Sequence, residues 1–138
     1  AEIEKTRYTV EISTKNAYGL SFFMRRFSLS DLFAAKIAAI LTRMKMEGTE
    51  LVERYKGRDY FDLVWFLERK VSPNSEMVKK MTNYGIKETV SKLNEKVDKI
   101  TVQDLQDDLF YFFSDSKYVE TFAKNYKELA KEYLKNLK

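Results

Sequence analysis

Residues 56–67 read KGRDYFDLVWFL, and this stretch decides the fold. Seven of its last eight residues are apolar or aromatic. That is too many for an amphipathic surface helix, so we expect a helix buried over most of its circumference. Asp59 and Asp62 then lie on one face, one turn apart, near the helix start. Because the two carboxylates repel each other, the pair needs a cation, a shared proton or the positive helix N-terminus beside it.

The candidate cation lies upstream, in residues 28–43, SLSDLFAAKIAAILTR. This apolar run predicts a second buried helix, with Ser30 as its N-cap and Asp31 in its first turn. Between Asp31 and the final arginine, Lys36 is the only ionisable residue, and a lysine buried without a partner is costly. We therefore expect Lys36 to face the aspartate pair or an anionic ligand.

The composition limits the chemistry. The 138 residues are 44% hydrophobic and 33% charged, with 4 Gly and 1 Pro, which favours one globular, mainly helical domain. The absence of His and Cys excludes a Ser-His-Asp mechanism, disulfides and thiolate metal sites. Any metal is then a hard, oxygen-liganded ion such as Mg²⁺. A net charge of +4 permits contact with nucleic acid or nucleotide phosphates.

The expected location is the cytoplasm. We find no signal peptide, and no apolar run reaches the roughly 20 residues that cross a bilayer. The chain begins at Ala1 without an initiator Met, so we expect it to be processed or cut from something longer.

The predicted fold class is α+β, mainly α, as a single domain over 1–138. Alternating, β-branched residues at 6–13 and apolar residues at 20–27 predict two antiparallel strands, so the β element spans 1–28. A helical bundle follows over 29–138, with five or six helices in all (roughly). The polar stretch 44–55 predicts a loop with at most one helical turn.

Four helices are predicted after the break at 72–75. Gly85 is expected to end the first of them, and Thr101 to Asp104 resembles a capping box that opens the third. The predicted helices run from Asn74 or Ser75 to about Tyr84, from Lys87 to Asp98, from Thr101 to about Phe113, and from about Lys117 to the end.

Three motifs together resemble the AbiEii/AbiGii toxin family of nucleotidyltransferase-like proteins. Residues 32–43 are similar to its lysine-bearing helix, and residues 56–62 to its K-G-R-D-x-x-D helix. Residues 108–115, DLFYFFSD, are similar to its D-V-x-P-F-I-x-D segment, with Tyr111 where a proline is usual. The order and spacing of the motifs are more specific than any one alone, and the resemblance covers most of the chain.

The resemblance implies a toxin of the abortive-infection type that binds a nucleoside triphosphate with Mg²⁺ and transfers nucleotides to an RNA such as tRNA. It places Lys36 on the nucleotide phosphates, with Asp59 and Asp62 orienting the lysine or the bound group. Arg58 either contacts phosphate or pairs with an acid. Glu11, on the first predicted strand, weakly resembles a metal-binding carboxylate of this broad class; the alternative is a glutamate that faces solvent.

The residues alone also allow a structural role. Asp59 then only caps its helix, and Lys36 only neutralises Asp62, since ion pairs near helix ends are ordinary. The Gly-Ser and Asp-x-Asp motifs of the family's metal-binding half are absent from the sequence. The chain therefore resembles the C-terminal part of such a protein, and whether it is an enzyme by itself stays open.

The alternative function is a non-catalytic helical module that binds RNA or an antitoxin partner. Lysines of the last helix form either a strip that contacts RNA or a solvated face. The acidic residues Asp104, Asp107 and Asp108 are predicted to be solvated, and Trp65 and the phenylalanine-rich runs to be core rather than base-stacking platforms. The lysines concerned are Lys124, Lys127, Lys131, Lys135 and Lys138.

Overall fold

The computed structural model describes residues 28–137. The strands predicted at 6–13 and 20–27, and Glu11 with them, lie outside the described residues. Within 28–137 the chain is mainly helical with one small antiparallel sheet, so the α+β, mainly α class is confirmed. The six helices and two strands are α1 (Leu29–Thr42), β1 (Met44–Glu47), β2 (Glu50–Glu53), α2 (Gly57–Glu68), α3 (Ser75–Thr82), α4 (Ile86–Lys99), α5 (Val102–Leu109) and α6 (Ser116–Leu134).

The N-cap of helix α1 lies two residues before its predicted position. The Ser28 hydroxyl, not Ser30, accepts a hydrogen bond from the Asp31 amide at 3.1 Å, so Ser28 is the N-cap. Phe33 on the apolar face of α1 stacks on Phe66 of α2, with ring centroids 4.7 Å apart and planes within 8°. This stacked pair holds α1 and α2 side by side in one core.

The prediction of a loop over 44–55 is wrong, because β1 and β2 form a hairpin there. Met46 lies opposite Leu51, and Met44 opposite Glu53. Gly48 turns the chain with φ of 64°, a left-handed conformation that glycine adopts without steric cost. The hairpin is mostly exposed on both faces, so its sequence lacks the apolar alternation that marks a half-buried strand.

Two helix boundaries differ from the prediction. Asn83, in a left-handed conformation with φ of 69°, ends α3, and Gly85 is instead the N-cap of α4. The capping box of Thr101 and Asp104 is confirmed, but α5 ends at Leu109, four residues before the predicted end. Residues 110–112 form a turn, so their side chains do not continue the buried face of α5.

The last helix closes the core. Its apolar stripe is buried at Val119, Ala123, Tyr126, Ala130 and Leu134. The buried Tyr126 hydroxyl donates a hydrogen bond to the backbone carbonyl oxygen of Tyr60 on α2, at 2.7 Å. Burial raises the pKa of this phenol well above its ordinary value, which keeps it a donor. Among the described helices, none is both long and apolar enough to cross a membrane.

Candidate functional site

Lys36 lies between the two aspartates of α2. Its Nζ is 2.5 Å from Asp59 Oδ1 and 3.0 Å from Asp62 Oδ2. Arg43 joins them, with its Nε 2.9 Å from Asp59 Oδ2. We call these four residues the Lys36 cluster. The predicted pairing of Lys36 is confirmed, and Arg43 is a member that the sequence analysis missed.

Helix periodicity explains how the cluster assembles. Lys36 lies on α1, and Arg43, seven residues later, is the C-cap of that helix, so the two follow at a spacing of about two turns; Asp59 and Asp62 are three apart on α2. The side chains of Lys36 and Asp59 are 0% and 1% exposed, and those of Asp62 and Arg43 are 10% and 24% exposed. Two cations therefore face two anions, which offsets much of the cost of burying charge.

The first turn of α2 is held by the third motif. Asp108 of α5 accepts a hydrogen bond from the Gly57 amide at 2.5 Å, so a carboxylate satisfies the positive N-terminus of the helix. A Cβ atom at position 57 would lie 2.9 Å from the Asp108 Cβ, which is why glycine is needed there. Asp59 lies two residues further on, and its carboxylate contacts Lys36 and Arg43, so it does more than cap its helix.

We expect Gly57→Ala to lower the free energy of unfolding by about 1–3 kcal/mol, since the added methyl overpacks the contact with Asp108. In an Asp108→Gly background the same substitution should cost less, because the closest clashing atom is gone; the backbone carbonyl oxygen of Asp104, 3.2 Å from the added methyl, remains. An Asp108→Ala background keeps that Cβ and should keep the cost. Urea unfolding of the single and double variants measures the cost of Gly57→Ala in the wild type and in the two Asp108 backgrounds. An equal cost in the Asp108→Gly and Asp108→Ala backgrounds would contradict the contact.

Arg58 faces the turn after α5. Its guanidinium lies over the Phe112 ring, with Cζ 3.7 Å from the ring centroid, which is cation–π geometry. Arg58 is also adjacent in sequence to Asp59 of the cluster. Arg58 therefore connects the first turn of α2, which carries Asp59, to Phe112 in the turn after α5.

The hairpin is fastened to α4 by Glu53. Its carboxylate accepts hydrogen bonds from the Tyr55 hydroxyl and from Lys96 Nζ, the latter at 3.0 Å. These donors, with Tyr55 the stronger influence and Lys96 the next, lower the pKa of Glu53 to about 2. The interaction orients the chain between the hairpin and the start of α2.

This low pKa gives an acid dependence with a defined sign. The stabilisation by the Glu53 carboxylate is complete above its unfolded pKa, near 4.5, and is lost as the pH falls toward about 2. We expect Glu53→Gln to be less stable than the wild type at pH 7 and to differ less from it at pH 2.5. Urea unfolding at both pH values checks this. An equal difference in the free energy of unfolding at the two pH values would show that Glu53 does not contribute to the loss of stability in acid.

Within 28–137 no group of three or more His, Cys, Asp or Glu side chains is arranged to hold a metal ion. Asp59 and Asp62 each lie within 3.0 Å of the Lys36 ammonium, which occupies the position between them that a cation would take.

Three other predictions have mixed outcomes. Trp65 is buried as predicted. Asp108 is half-buried and bonded to the Gly57 amide, so the prediction that it is simply solvated is wrong. The phenylalanine-rich run after α5 is not core: Phe110, Tyr111 and Phe112 are exposed. Helix α5 ends at Leu109, so these three side chains do not lie on its buried face.

The lysines of α6 are mostly solvated. Lys124, Lys127 and Lys135 are exposed. Lys131 pairs with Asp98 of α4 at 2.8 Å, and Lys138 lies outside the described residues. The strip is therefore a surface feature, separate from the buried Lys36 cluster.

Comparison with known proteins identifies the family. The sequence from residue 2 to residue 137 matches the family model described as nucleotidyl transferase AbiEii toxin, type IV toxin–antitoxin system. No curated protein and no solved structure gives a significant match. Because the family model covers nearly the whole chain, including all three motifs that build the cluster and its support, the chain belongs to the AbiEii family of nucleotidyltransferase toxins.

Proposed function

We propose that this chain forms the helical part of a nucleotidyltransferase that binds a nucleoside triphosphate with Mg²⁺ and transfers nucleotides to an RNA such as tRNA. Lys36 acts on the nucleotide phosphates, and Asp59 and Asp62 hold its ammonium in place. Arg58 supplies a second cation for the phosphates. The observation that carries the proposal is the Lys36 cluster, in which residues of two family motifs meet in one buried ion network.

The chemistry suits these residue types. Phosphoryl transfer depends on positioning and on neutralising charge at the phosphates, so it needs no histidine, and the chain has none. An ammonium already fixed by two carboxylates loses little freedom when substrate binds.

The metal ligands belong to other parts of the protein in this proposal. Glu11 is the weak candidate within the chain, and the Gly-Ser and Asp-x-Asp motifs belong to a proposed upstream half. Residues 1–138 are then a single C-terminal domain of a longer cytoplasmic toxin, with 1–28 as the last β element of its nucleotidyltransferase sheet. An antitoxin is its expected protein partner, as the type IV toxin–antitoxin family implies.

Nucleotide binding by the chain itself tests the proposal. Isothermal titration with each of the four nucleoside triphosphates and Mg²⁺ should give weak binding of at least one. We expect Asp59→Asn to weaken that binding strongly, because it removes one of the two carboxylates that fix the Lys36 ammonium and leaves Asp62 as the other. Val97→Ala, a fully buried change on α4 outside the cluster, is the control and should bind as the wild type does. Binding that Asp59→Asn leaves unchanged would contradict the assignment.

The second candidate is a non-catalytic module that binds RNA or an antitoxin. The exposed lysines of α6 favour it, since they present positive charge away from the cluster. Replacement of Lys124 and Lys127 by glutamate distinguishes the candidates. RNA binding that depends only on these lysines, with no nucleotide binding by the wild type, would support the second.

A further inference from the structure

Three consecutive aromatic residues are exposed in the turn between α5 and α6. Phe110 is 41% exposed, Tyr111 87% and Phe112 52%. Exposed apolar residues clustered in this way commonly mark a binding surface. Because Tyr111 is mostly exposed, its ring faces are open to a flat ligand.

The Arg58 guanidinium covers one face of Phe112, at 3.7 Å from the ring centroid. Aromatic rings and guanidinium planes are the side chains on which unpaired nucleobases stack. Arg58 also precedes Asp59 of the Lys36 cluster in the first turn of α2. Arg58, which contacts Phe112, is therefore the sequence neighbour of a residue in the proposed site of nucleotide transfer.

We propose that residues 110–112 and Arg58 form a stacking platform for unpaired bases of an RNA acceptor. The inference rests on the proposed function and names the part of the substrate that this side of the site holds: a single-stranded end rather than a duplex. Stacking needs an exposed base face, and a paired base inside a helix does not offer one.

The charges around the platform indicate what kind of contact it makes. The sequence around the platform carries three cations, Lys56, Arg58 and Lys117, and three carboxylates that already accept internal hydrogen bonds. The three positive and three negative charges are equal in number, so we expect attraction of the RNA backbone phosphates to add little to binding at this turn. The platform's share of binding should therefore depend weakly on salt, unlike a lysine strip. The carboxylates are Asp107, bonded to Gln103, Asp108, bonded to the Gly57 amide, and Asp115, which caps α6.

The test uses the whole chain and a fluorescent RNA hairpin with a short unpaired 3′ end, without nucleotide or Mg²⁺, followed by fluorescence anisotropy. We expect Tyr111→Leu to weaken binding by about 10-fold or more, because leucine keeps apolar area but has no ring to stack on. Tyr111→Phe and Tyr111→Trp should bind as the wild type does. Leu51→Ala, another exposed apolar position at 62%, is the matched control and should have no effect.

Several outcomes would overturn the platform: no binding of the tailed hairpin by the wild type, equal binding of a blunt hairpin, or full binding by Tyr111→Leu. Loss of binding only in a Lys124→Glu, Lys127→Glu variant, with a steep salt dependence, would assign RNA contact to α6 instead. Because Tyr111 is mostly exposed, its variants should unfold at the wild-type temperature. The assay contains no transfer step, so its failure is distinct from failure of the proposed function: tailed RNA can bind without nucleotide transfer, and transfer can occur without Tyr111.

Discussion

Replacing Lys36 with methionine should lower the free energy of unfolding by about 3–5 kcal/mol, the cost of breaking a buried ion pair from one side. Methionine nearly matches the lysine stem in shape, so the change removes mainly the charge. The lysine side chain is 0% exposed, and its Nζ is within 3.0 Å of two carboxylates. Removing it leaves the two aspartates with Arg43 as the remaining described cation of the cluster, and brings their repulsion into play.

Urea unfolding measures this loss, with Lys92→Met as the matched control. Lys92 is on α4, 41% exposed, and makes a 3.7 Å pair with Glu95, so its loss should cost less than about 1 kcal/mol. Adding Asp62→Asn to Lys36→Met restores the balance of charge among the four residues of the cluster and should recover part of the stability. If Lys36→Met unfolds like the wild type, the pairing is absent or screened by water in solution.

Nucleotide transfer should be nearly absent in this chain and present in the proposed longer protein. Such catalysis needs paired metal-binding carboxylates and a phosphate-binding turn together. The sequence has no Gly-Ser or Asp-x-Asp motif, and residues 28–137 supply no metal cluster. The measurement is incorporation of labelled nucleotide into total tRNA by both proteins. Robust incorporation by the chain alone would show that its own residues complete the site.

The pairing of Lys36 was predictable because burial leaves a lysine few choices. One ionisable group in an apolar run, and two carboxylates one turn apart in another, indicate each other by charge alone. Arg43 was not predictable in the same way. It ends the apolar run, where an arginine can reach solvent, and only the packing of α1 on α2 brings its guanidinium to Asp59.

The missed features depend on where backbone elements end. Had α5 continued to Phe113, Phe112 and Phe113 would have followed Leu109 at the spacing of one buried face. The helix ends at Leu109, so Phe112 is exposed, while Phe113 turns back to lie 5.0 Å from the Phe61 ring. Helix ends are the least predictable part of a sequence, and here one end decides whether aromatic residues are core or surface.

The hairpin was missed for a related reason. Both of its faces are largely exposed, so burial imposes no alternation on its sequence. The stabilising partners of Glu53 come from Tyr55 and from Lys96, which is distant in sequence. A contact of that kind leaves no local pattern.

The most direct test of the Lys36 cluster as a nucleotide site is the transfer rate of Asp59→Asn in the longer protein. The rate is measured per folded molecule and compared with that of Val97→Ala. Asparagine keeps the shape of the buried side chain and removes the charge that fixes Lys36. We expect transfer to fall by roughly 100-fold or more relative to Val97→Ala, as for the loss of one electrostatic contact to the reacting phosphates. Equal rates in the two variants would contradict the account and leave the cluster as a structural ion network.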